Sequence, residues 1–191
     1  MTVAVLFARA DSVYKTMPEC DVYDEARDAR RWRGGASVIA HPMCRGWGRL
    51  AQFSNATEEE RQQAVLAVWL VRLHGGVLEH PAESKLWAYL GLPRPGLTPD
   101  VYGGYTIEIR QCDWGHPCDK LTWLYIVGCR TSQLPAFPAA GLPTHVIKPQ
   151  RGVARTLKIC TKYWRDATPL ALARWLVDLA AGCAVKAEAA A

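Results

Sequence analysis

Several features that would place the protein outside the globular classes are missing from its sequence. No apolar run approaches the roughly 20 residues that a membrane-spanning helix needs. The first apolar run, residues 3–8, is too short for the core of a signal peptide, and no basic region precedes it. Charged residues make up only 21% of the chain, and this fraction together with eight tryptophans excludes a disordered polymer. We therefore expect a cytoplasmic protein.

The even, closely spaced cysteines of a disulfide framework are also missing. The seven cysteines are an odd number and are scattered along the chain, so we predict reduced thiols. Cys112, His116 and Cys118 could bind zinc with His41 or Cys44, because thiolate and imidazole are zinc ligands. Their spacing, three residues and then one, is not a usual zinc pattern. The sequence therefore predicts no metal site.

The chain is long enough to fold around its own core. At 191 residues it should bury roughly 70% of the surface that its unfolded form exposes, without help from a metal or a disulfide. We see no internal repeat and no composition break that would mark a second domain. We predict one α/β domain over residues 1–185 and a disordered tail over residues 186–191.

Acidic residues are absent from the segment 120–165, whereas eight basic residues lie in it. Such a one-signed stretch should carry a positive potential that attracts polyanions. We therefore predict a nucleic-acid partner, with DNA as the first candidate, or a pyrimidine nucleotide. The alternative is a solvated surface whose acids come from elsewhere in space. The predicted nucleic-acid contacts are Arg130, Lys148, Arg151, Arg155, Lys158 and Lys162.

The first half of the chain alternates between strand and helix patterns. Residues 3–7 and 37–40 are short apolar runs typical of a parallel sheet. Thr57 and Glu60 have the spacing of a capping box and predict a helix that runs to about His74. Its apolar positions, recurring at three and four residues, are Val65, Val68, Trp69 and Leu73. A buried strand at residues 77–78 follows, which favours a right-handed crossover.

The second half predicts an antiparallel edge and a last helix. Residues 105–110 and 121–127 read as two strands that pair as antiparallel neighbours. Thr168 and Pro169 are typical of a helix start, with threonine at the cap and proline at the first helical position. The apolar stripe of that helix is Leu172, Trp175, Leu176, Leu179 and Cys183. The predicted fold is a small Rossmann-like α/β fold, with a mostly parallel sheet, an antiparallel edge and flanking helices.

Chemically active side chains follow the predicted strands directly. In an open parallel sheet, ligands bind beyond the carboxyl ends of the strands, and residues 7–12, 41–48 and 79–81 lie at such ends. We expect the thiol of Cys44 and the carboxyl of Glu79 to share this rim. Arg45 and His41 could lower the pKa of the thiol and make it a nucleophile. Glu79, if its pKa is raised by burial, could hold or deliver a proton.

The order of these segments resembles that of cytosine-5 DNA methyltransferases. In that family a strand ends in a proline-cysteine pair with the nucleophile, and the next strand ends in a glutamate that holds the cytosine ring. A later basic motif leads into a strand that ends in Val-Gly. The similar segments here are residues 42–44, 78–81, 114–116 and 120–128, and the likeness spans roughly residues 3–128 as order and spacing. Phage and prophage reading frames with His-Pro-x-Cys and Leu-Glu-His-Pro are similar as well.

This resemblance implies a definite chemistry. Cys44 would attack the ring carbon next to the acceptor position, and Glu79 would neutralise the ring nitrogen as charge develops. The enzyme would have to turn the base out of a helix or accept a single strand or a nucleotide. The residues expected to contact the base or the backbone are His41, Arg45, Trp47, His80, His116 and Lys120.

The resemblance also implies S-adenosylmethionine as the cofactor. Its binding residues would be Phe7, Arg9, Asp11 and Asp24, with Asp21 and Asp28 as alternatives to Asp24 for the ribose. The family's loop is Phe-x-Gly-x-Gly, because only glycine lets the backbone approach the cofactor closely. Here residues 7–11 read Phe-Ala-Arg-Ala-Asp, and Met43 precedes the cysteine in place of proline. A second hypothesis is therefore an inactive relative that binds DNA or interferes with another DNA enzyme.

Overall fold

A six-stranded sheet forms the centre of the molecule. The computed structural model describes residues 2–48, 51–147 and 157–183. The strand order of the sheet is β2-β1-β3-β4-β6-β5. Its strands are β1 (Val3–Leu6), β2 (Cys20–Tyr23), β3 (Val38–Ala40), β4 (Gly76–Pro81), β5 (Tyr105–Arg110) and β6 (Leu121–Val127). The helices are α1 (Glu58–His74), α2 (Lys85–Leu90), α3 (Lys162–Asp166) and α4 (Leu170–Gly182), and β7 (His145–Val146) pairs with β8 (Lys158–Ile159).

The sheet is parallel on one side and antiparallel on the other. Strand β1 pairs in parallel with β2 and β3, and β3 pairs in parallel with β4. Strand β6 runs antiparallel between β4 and β5. The chain leaves β1 towards β2 and then crosses to β3 on the other side, so the strand order reverses between β1 and β3. The predicted small Rossmann-like α/β fold with an antiparallel edge is confirmed.

Each face of the sheet carries its own hydrophobic core. Helix α4 packs on one face, where Leu172 and Leu176 meet Val77 of β4. Helix α1 packs on the other, where Val68 meets Leu78. Burying an aliphatic side chain of this size contributes roughly 1.5–3 kcal/mol, so the two cores hold the strand ends in place. The predicted apolar stripe of the last helix is buried throughout.

Helix α1 begins and ends where the sequence predicts. Thr57 Oγ1 accepts from the Glu60 amide at 3.2 Å, and Glu60 Oε2 accepts from the Thr57 amide at 3.0 Å, which confirms the capping box. The predicted apolar positions are partly wrong, because Trp69 is 45% exposed and Leu73 69% exposed. The buried side chains of α1 are instead the small ones that let it lie close to the sheet, namely Ala64, Ala67, Val68 and Val71.

Three further features differ from the sequence expectations. Strand β2 is missing from the prediction because only one of its four residues is buried, so no apolar run marks it. Helices α2 and α3 are missing because five or six residues are too few for a helical repeat to show. Helix α4 begins at Leu170, so Pro169 rather than Thr168 occupies the cap. The prediction that all cysteines are reduced is wrong, because Cys118 and Cys160 form a disulfide across 42 residues.

Two further predictions concern the C-terminal tail and membrane-spanning helices. The predicted disordered tail, residues 186–191, lies outside the described residues. No helix within the described ranges is both long and apolar enough to cross a membrane.

Candidate active site

A large cavity opens at the carboxyl ends of the parallel strands. Its volume is about 1520 Å³. Residues that follow β1, β2 and β3 line it, together with the end of β4, the start of β6 and helix α3. The cavity therefore lies where the strand order reverses between β1 and β3, which is the usual ligand position in an open α/β sheet.

Cys44 lies on this cavity as an exposed residue just beyond β3. Partial shielding of the thiol from water by the surrounding protein and the negative charge of Glu79 raise its pKa, whereas the charge of Lys120 lowers it. The sequence prediction that Arg45 activates the thiol is wrong, because the Arg45 guanidinium binds the carboxylate of Glu60 instead. The resting thiol of Cys44 is consequently protonated near neutral pH.

Glu79 lines the same cavity and is held at both carboxylate oxygens. Oε2 lies 3.1 Å from Nδ1 of His41, and Oε1 lies 3.0 Å from Nε2 of Gln111. Burial raises the pKa of Glu79, but the charge of Lys120 and the hydrogen bond from His41 outweigh it and bring the pKa to about 2. The condition for holding or delivering a proton, a raised pKa, is therefore not met, and Glu79 is an ionised acceptor at neutral pH.

The tautomer of His41 follows from its second partner. Nε2 of His41 lies 3.1 Å from the hydroxyl of Tyr14, a side chain that is only 1% exposed. Burial and the charge of Glu79 raise the pKa of Tyr14, so its hydroxyl keeps the proton. No other partner for this hydroxyl exists among the described residues, and a buried O–H needs an acceptor. Nε2 therefore accepts from Tyr14, and Nδ1–H of His41 donates to Glu79.

Gln111 is a site residue that the sequence reasoning missed. It is 0% exposed and follows β5, and its Nε2 contacts Oγ1 of Thr122 at 3.0 Å as well as Glu79. The Thr122 hydroxyl donates to the Lys120 carbonyl at 3.3 Å, so its oxygen accepts from Gln111. This contact fixes the amide with its nitrogen towards Glu79. No local pattern marks the pair, because 32 residues separate Gln111 from Glu79.

The cavity wall has mixed charge. Eight carboxylate side chains and five lysine or arginine side chains line it among the described residues. Within that part of the chain, Lys120, Lys162 and Arg165 line the wall without a carboxylate inside salt-bridge distance. These three cations are the groups available to an anionic ligand.

Four predicted base contacts do not line the cavity, and the first is Arg45, which pairs with Glu60. His80 is 0% exposed and lies on the opposite face of β4 from Glu79, with its ring 6.2 Å from that of Trp87. His116 is buried, and its Nε2 contacts the Trp164 carbonyl at 2.7 Å. Trp47 is buried and donates to the Arg61 carbonyl at 3.2 Å. These side chains support the structure around the site and do not contact a ligand in it.

The predicted cofactor loop is occupied by its own side chains. Phe7, Arg9, Asp11 and Asp24 all line the cavity. Arg9 donates to both oxygens of Asp11 at 2.8 Å and lies 5.3 Å from the centre of the Tyr163 ring. Asp24 accepts from Lys15 at 2.5 Å through one oxygen and from two backbone amides through the other. Arg9 and Asp24 are therefore already engaged in ion pairs at the place where the resemblance implies a cofactor.

The predicted nucleic-acid contacts separate in the structure. Lys162 lines the cavity, and Lys158 is exposed on β8. Arg130 follows the last residue of β6, which runs antiparallel to β4. It therefore lies near the amino-terminal ends of the parallel strands, whereas the cavity lies at their carboxyl ends. This position does not fit one continuous basic face. Lys148, Arg151 and Arg155 lie outside the described residues.

The fold and the cavity define an α/β protein with a thiol and an ionised carboxylate at the switch point of its sheet. Neither a model of a known protein family nor a curated protein matches the chain. The function is therefore argued from the chemistry of the site.

Proposed function

We propose that the protein is an enzyme that acts on the pyrimidine base of a nucleic acid or a nucleotide. Cys44 is the nucleophile, and Glu79 contacts the base. The observation that carries the proposal is that both side chains line one solvent-accessible cavity beside Lys120. The resemblance to cytosine-5 DNA methyltransferases supports it, since the thiol and the carboxylate follow successive strands in the same order.

The proposed chemistry begins with addition of the Cys44 sulfur to C6 of the ring. The thiol proton leaves to solvent, the S–C6 bond forms, and the electrons of the C5–C6 double bond move towards C4. Lys120 stabilises the resulting negative charge in this proposal, because it lines the same cavity as Cys44 and Glu79. C5 then takes up an electrophile, of which a proton from water is the simplest.

Substrate binding can activate the thiol. The charge of Glu79 raises the pKa of Cys44 in the resting site. A base that donates a hydrogen bond to this carboxylate partly neutralises that charge, so the pKa of the thiol falls once the base is bound. The nucleophile thus forms where its target is already in place.

The size and walls of the cavity suit an extruded base or a free nucleotide. A volume of about 1520 Å³ exceeds that of ordinary small-ligand pockets. Lys162 and Arg165 lie on its α3 wall, where they can bind a phosphate. A duplex would have to release the base from its stack to reach Cys44.

Exchange of the C5 hydrogen tests the proposal without any added cofactor. Addition of Cys44 makes C5 basic, so in heavy water C5 takes up deuterium, and elimination of the thiol then restores the base. We expect mass spectrometry to detect deuterium in single-stranded oligonucleotides or in nucleotides incubated with the wild type, and none with Cys44→Ser. Cys20→Ser, at a half-buried thiol outside the cavity, is the matched control and should exchange like the wild type.

A nucleic-acid-binding protein without catalysis is the second candidate. The protonated thiol of Cys44 favours it, as do the ion pairs of Arg9 and Asp24 where the resemblance implies a cofactor. In that case Cys44→Ser keeps the DNA affinity and its salt dependence unchanged, and the wild type exchanges no C5 hydrogen.

A further inference from the structure

The hydrogen bonds around Glu79 make this carboxylate an acceptor on both oxygens. Oε1 accepts from the amide nitrogen of Gln111, and Oε2 accepts from Nδ1–H of His41. Each donor is oriented by a contact on its far side, Gln111 by Thr122 and His41 by Tyr14. A carboxylate oxygen has two lone pairs, so each oxygen keeps acceptor capacity towards the cavity. A ligand that meets Glu79 must therefore present a donor.

The two common pyrimidines differ at the ring atom that would meet this carboxylate. Uracil has N3–H, a donor between two carbonyl acceptors. Neutral cytosine has an unprotonated N3, an acceptor, beside its amino group. Cytosine could donate from the amino group to one oxygen, but its N3 lone pair would then face the other oxygen of an anion. Once the bound base has displaced water from Glu79, pairing acceptor with acceptor costs the desolvation of both groups.

We propose, resting on the function proposed above, that this site selects uracil over cytosine as the base that Cys44 attacks. The N3–H of uracil donates to Glu79, and its neighbouring O4 lies in the cavity that Lys120 also lines. When the sulfur adds to C6, the electrons of the C5–C6 bond move to O4 and form an enolate. Lys120 then meets a full negative charge, which is the condition under which a cation contributes most to catalysis.

The reaction of cytosine would need a proton donor at N3 of the ring. Addition to C6 of cytosine places negative charge on N3, which must receive a proton as the charge develops. Glu79 has none to give, because its pKa is about 2 and both of its oxygens already accept hydrogen bonds. The same residues that hold Glu79 in position thus disfavour the cytosine reaction.

Gln111, His41 and Tyr14 act as positioning residues in this account. None has to touch the reacting atoms, yet together they set which groups Glu79 can bind. Tyr14→Phe removes only the hydroxyl that fixes the tautomer of His41. This variant should relax the preference between bases while leaving the aromatic packing of Tyr14 in place.

The test compares deuterium uptake at C5 for two matched probes. These are a single-stranded oligonucleotide with one uracil and one with a single cytosine in the same context, with deoxyuridine and deoxycytidine monophosphate run in parallel. Each rate is divided by the uncatalysed rate of the same base. We expect uptake with the wild type to be at least about 100-fold faster at uracil, which is within the range that one unsatisfied buried polar group costs.

Variants at Glu79 and at a control carboxylate test whether Glu79 sets the preference between the two bases. Glu79→Gln carries both a donor and an acceptor, so it should bring the two rates within about tenfold of each other. Glu25→Gln removes the same charge elsewhere on the cavity wall and should keep the wild-type ratio. Faster uptake at cytosine with the wild type, lost in Cys44→Ser, would overturn the inference and leave the proposed function standing. Uptake at neither base would overturn both.

Discussion

Nε2 of Gln111 lies 3.0 Å from Oε1 of Glu79, and it joins a side chain at the end of β5 to one near the end of β4. Strand β6 lies between β4 and β5, so the contact passes across β6 where the strands meet the cavity. Oε1 of Gln111 has no partner among the described residues, so the amide makes its hydrogen bonds only through its nitrogen. This nitrogen is the donor that holds Glu79 on the antiparallel side of the site.

Replacing Gln111 should therefore weaken both stability and the site. Gln111→Leu keeps the volume of the side chain but removes its two hydrogen bonds, so the free energy of unfolding should fall by about 1–3 kcal/mol. Urea unfolding at neutral pH measures this change. Gln62→Leu, which removes an exposed bond to Glu58 on α1, should cost less than about 0.5 kcal/mol. Equal losses in the two variants would contradict the prediction, because the buried hydrogen bonds of Gln111 would then contribute no more to stability than an exposed one.

The reactivity of Cys44 should follow the charges around it. Glu79 raises the pKa of the thiol and Lys120 lowers it, so Glu79→Gln should lower this pKa and Lys120→Met should raise it. The pH dependence of iodoacetamide alkylation at residue 44, followed by mass spectrometry, measures the thiol pKa. A shift of one pKa unit changes the thiolate population nearly tenfold below the pKa. Lys85→Met, at an exposed lysine outside the cavity, is the control, and shifts of the opposite sign would contradict the account.

His80 should give the protein a stability that depends on pH. Burial lowers the pKa of His80 to about 4, against 6.5 in the unfolded chain, and the charge of Glu79 only partly offsets this effect. Its contact with the Met43 backbone falls short of hydrogen-bond geometry, and neither ring nitrogen has another partner among the described residues. Between pH 6.5 and 4 the unfolded chain binds a proton here and the folded chain does not. The free energy of unfolding therefore falls as the pH drops, by up to about 1.4 kcal/mol per pH unit.

A variant isolates this effect from the other titrating groups. His80→Phe should show a shallower loss of stability than the wild type between pH 6.5 and 4.5, because it has no proton to bind. Urea unfolding at intervals of half a pH unit gives both slopes. Identical slopes would mean that His80 is not held neutral by the fold.

The disulfide should stabilise the cavity wall that carries Lys162. Cys160 lies between β8 and α3 and is tied to Cys118 near the start of β6. Helix α3 has no buried side chain of its own, so this bond is an important attachment for it. Dithiothreitol should destabilise the wild type by about 2–4 kcal/mol, and Cys160→Ser should no longer respond to it. A wild-type melting temperature that is unchanged on reduction would contradict this role.

Local sequence patterns predicted the strands and the helix that position the site. The capping box of Thr57 and Glu60 uses atoms three residues apart, and the apolar runs of β1 and β3 directly show strands buried on both faces. The placement of Cys44 and Glu79 on one rim follows from the rule that parallel strands end at the same edge. Each of these inferences needed only neighbouring residues and a topology rule.

The contacts within the site could not be predicted in this way. Tyr14 meets His41 across 27 residues, and no local pattern shows that they face each other. Arg45 is next to Cys44 in the chain but binds Glu60, because side-chain direction is set by packing. His80 is a different case: the two-residue period of a strand already places it on the face opposite Glu79. That signal was present in the sequence.

Deuterium uptake at C5 of a pyrimidine base, compared between the wild type and Cys44→Ser without added cofactor, is the sharpest test of Cys44 as the nucleophile. We expect uptake that requires the sulfur of Cys44, that the Glu79→Gln variant alters, and that the Cys20→Ser control retains. Uptake that persists in Cys44→Ser, or none with uracil and cytosine in either strand or nucleotide form, would contradict it.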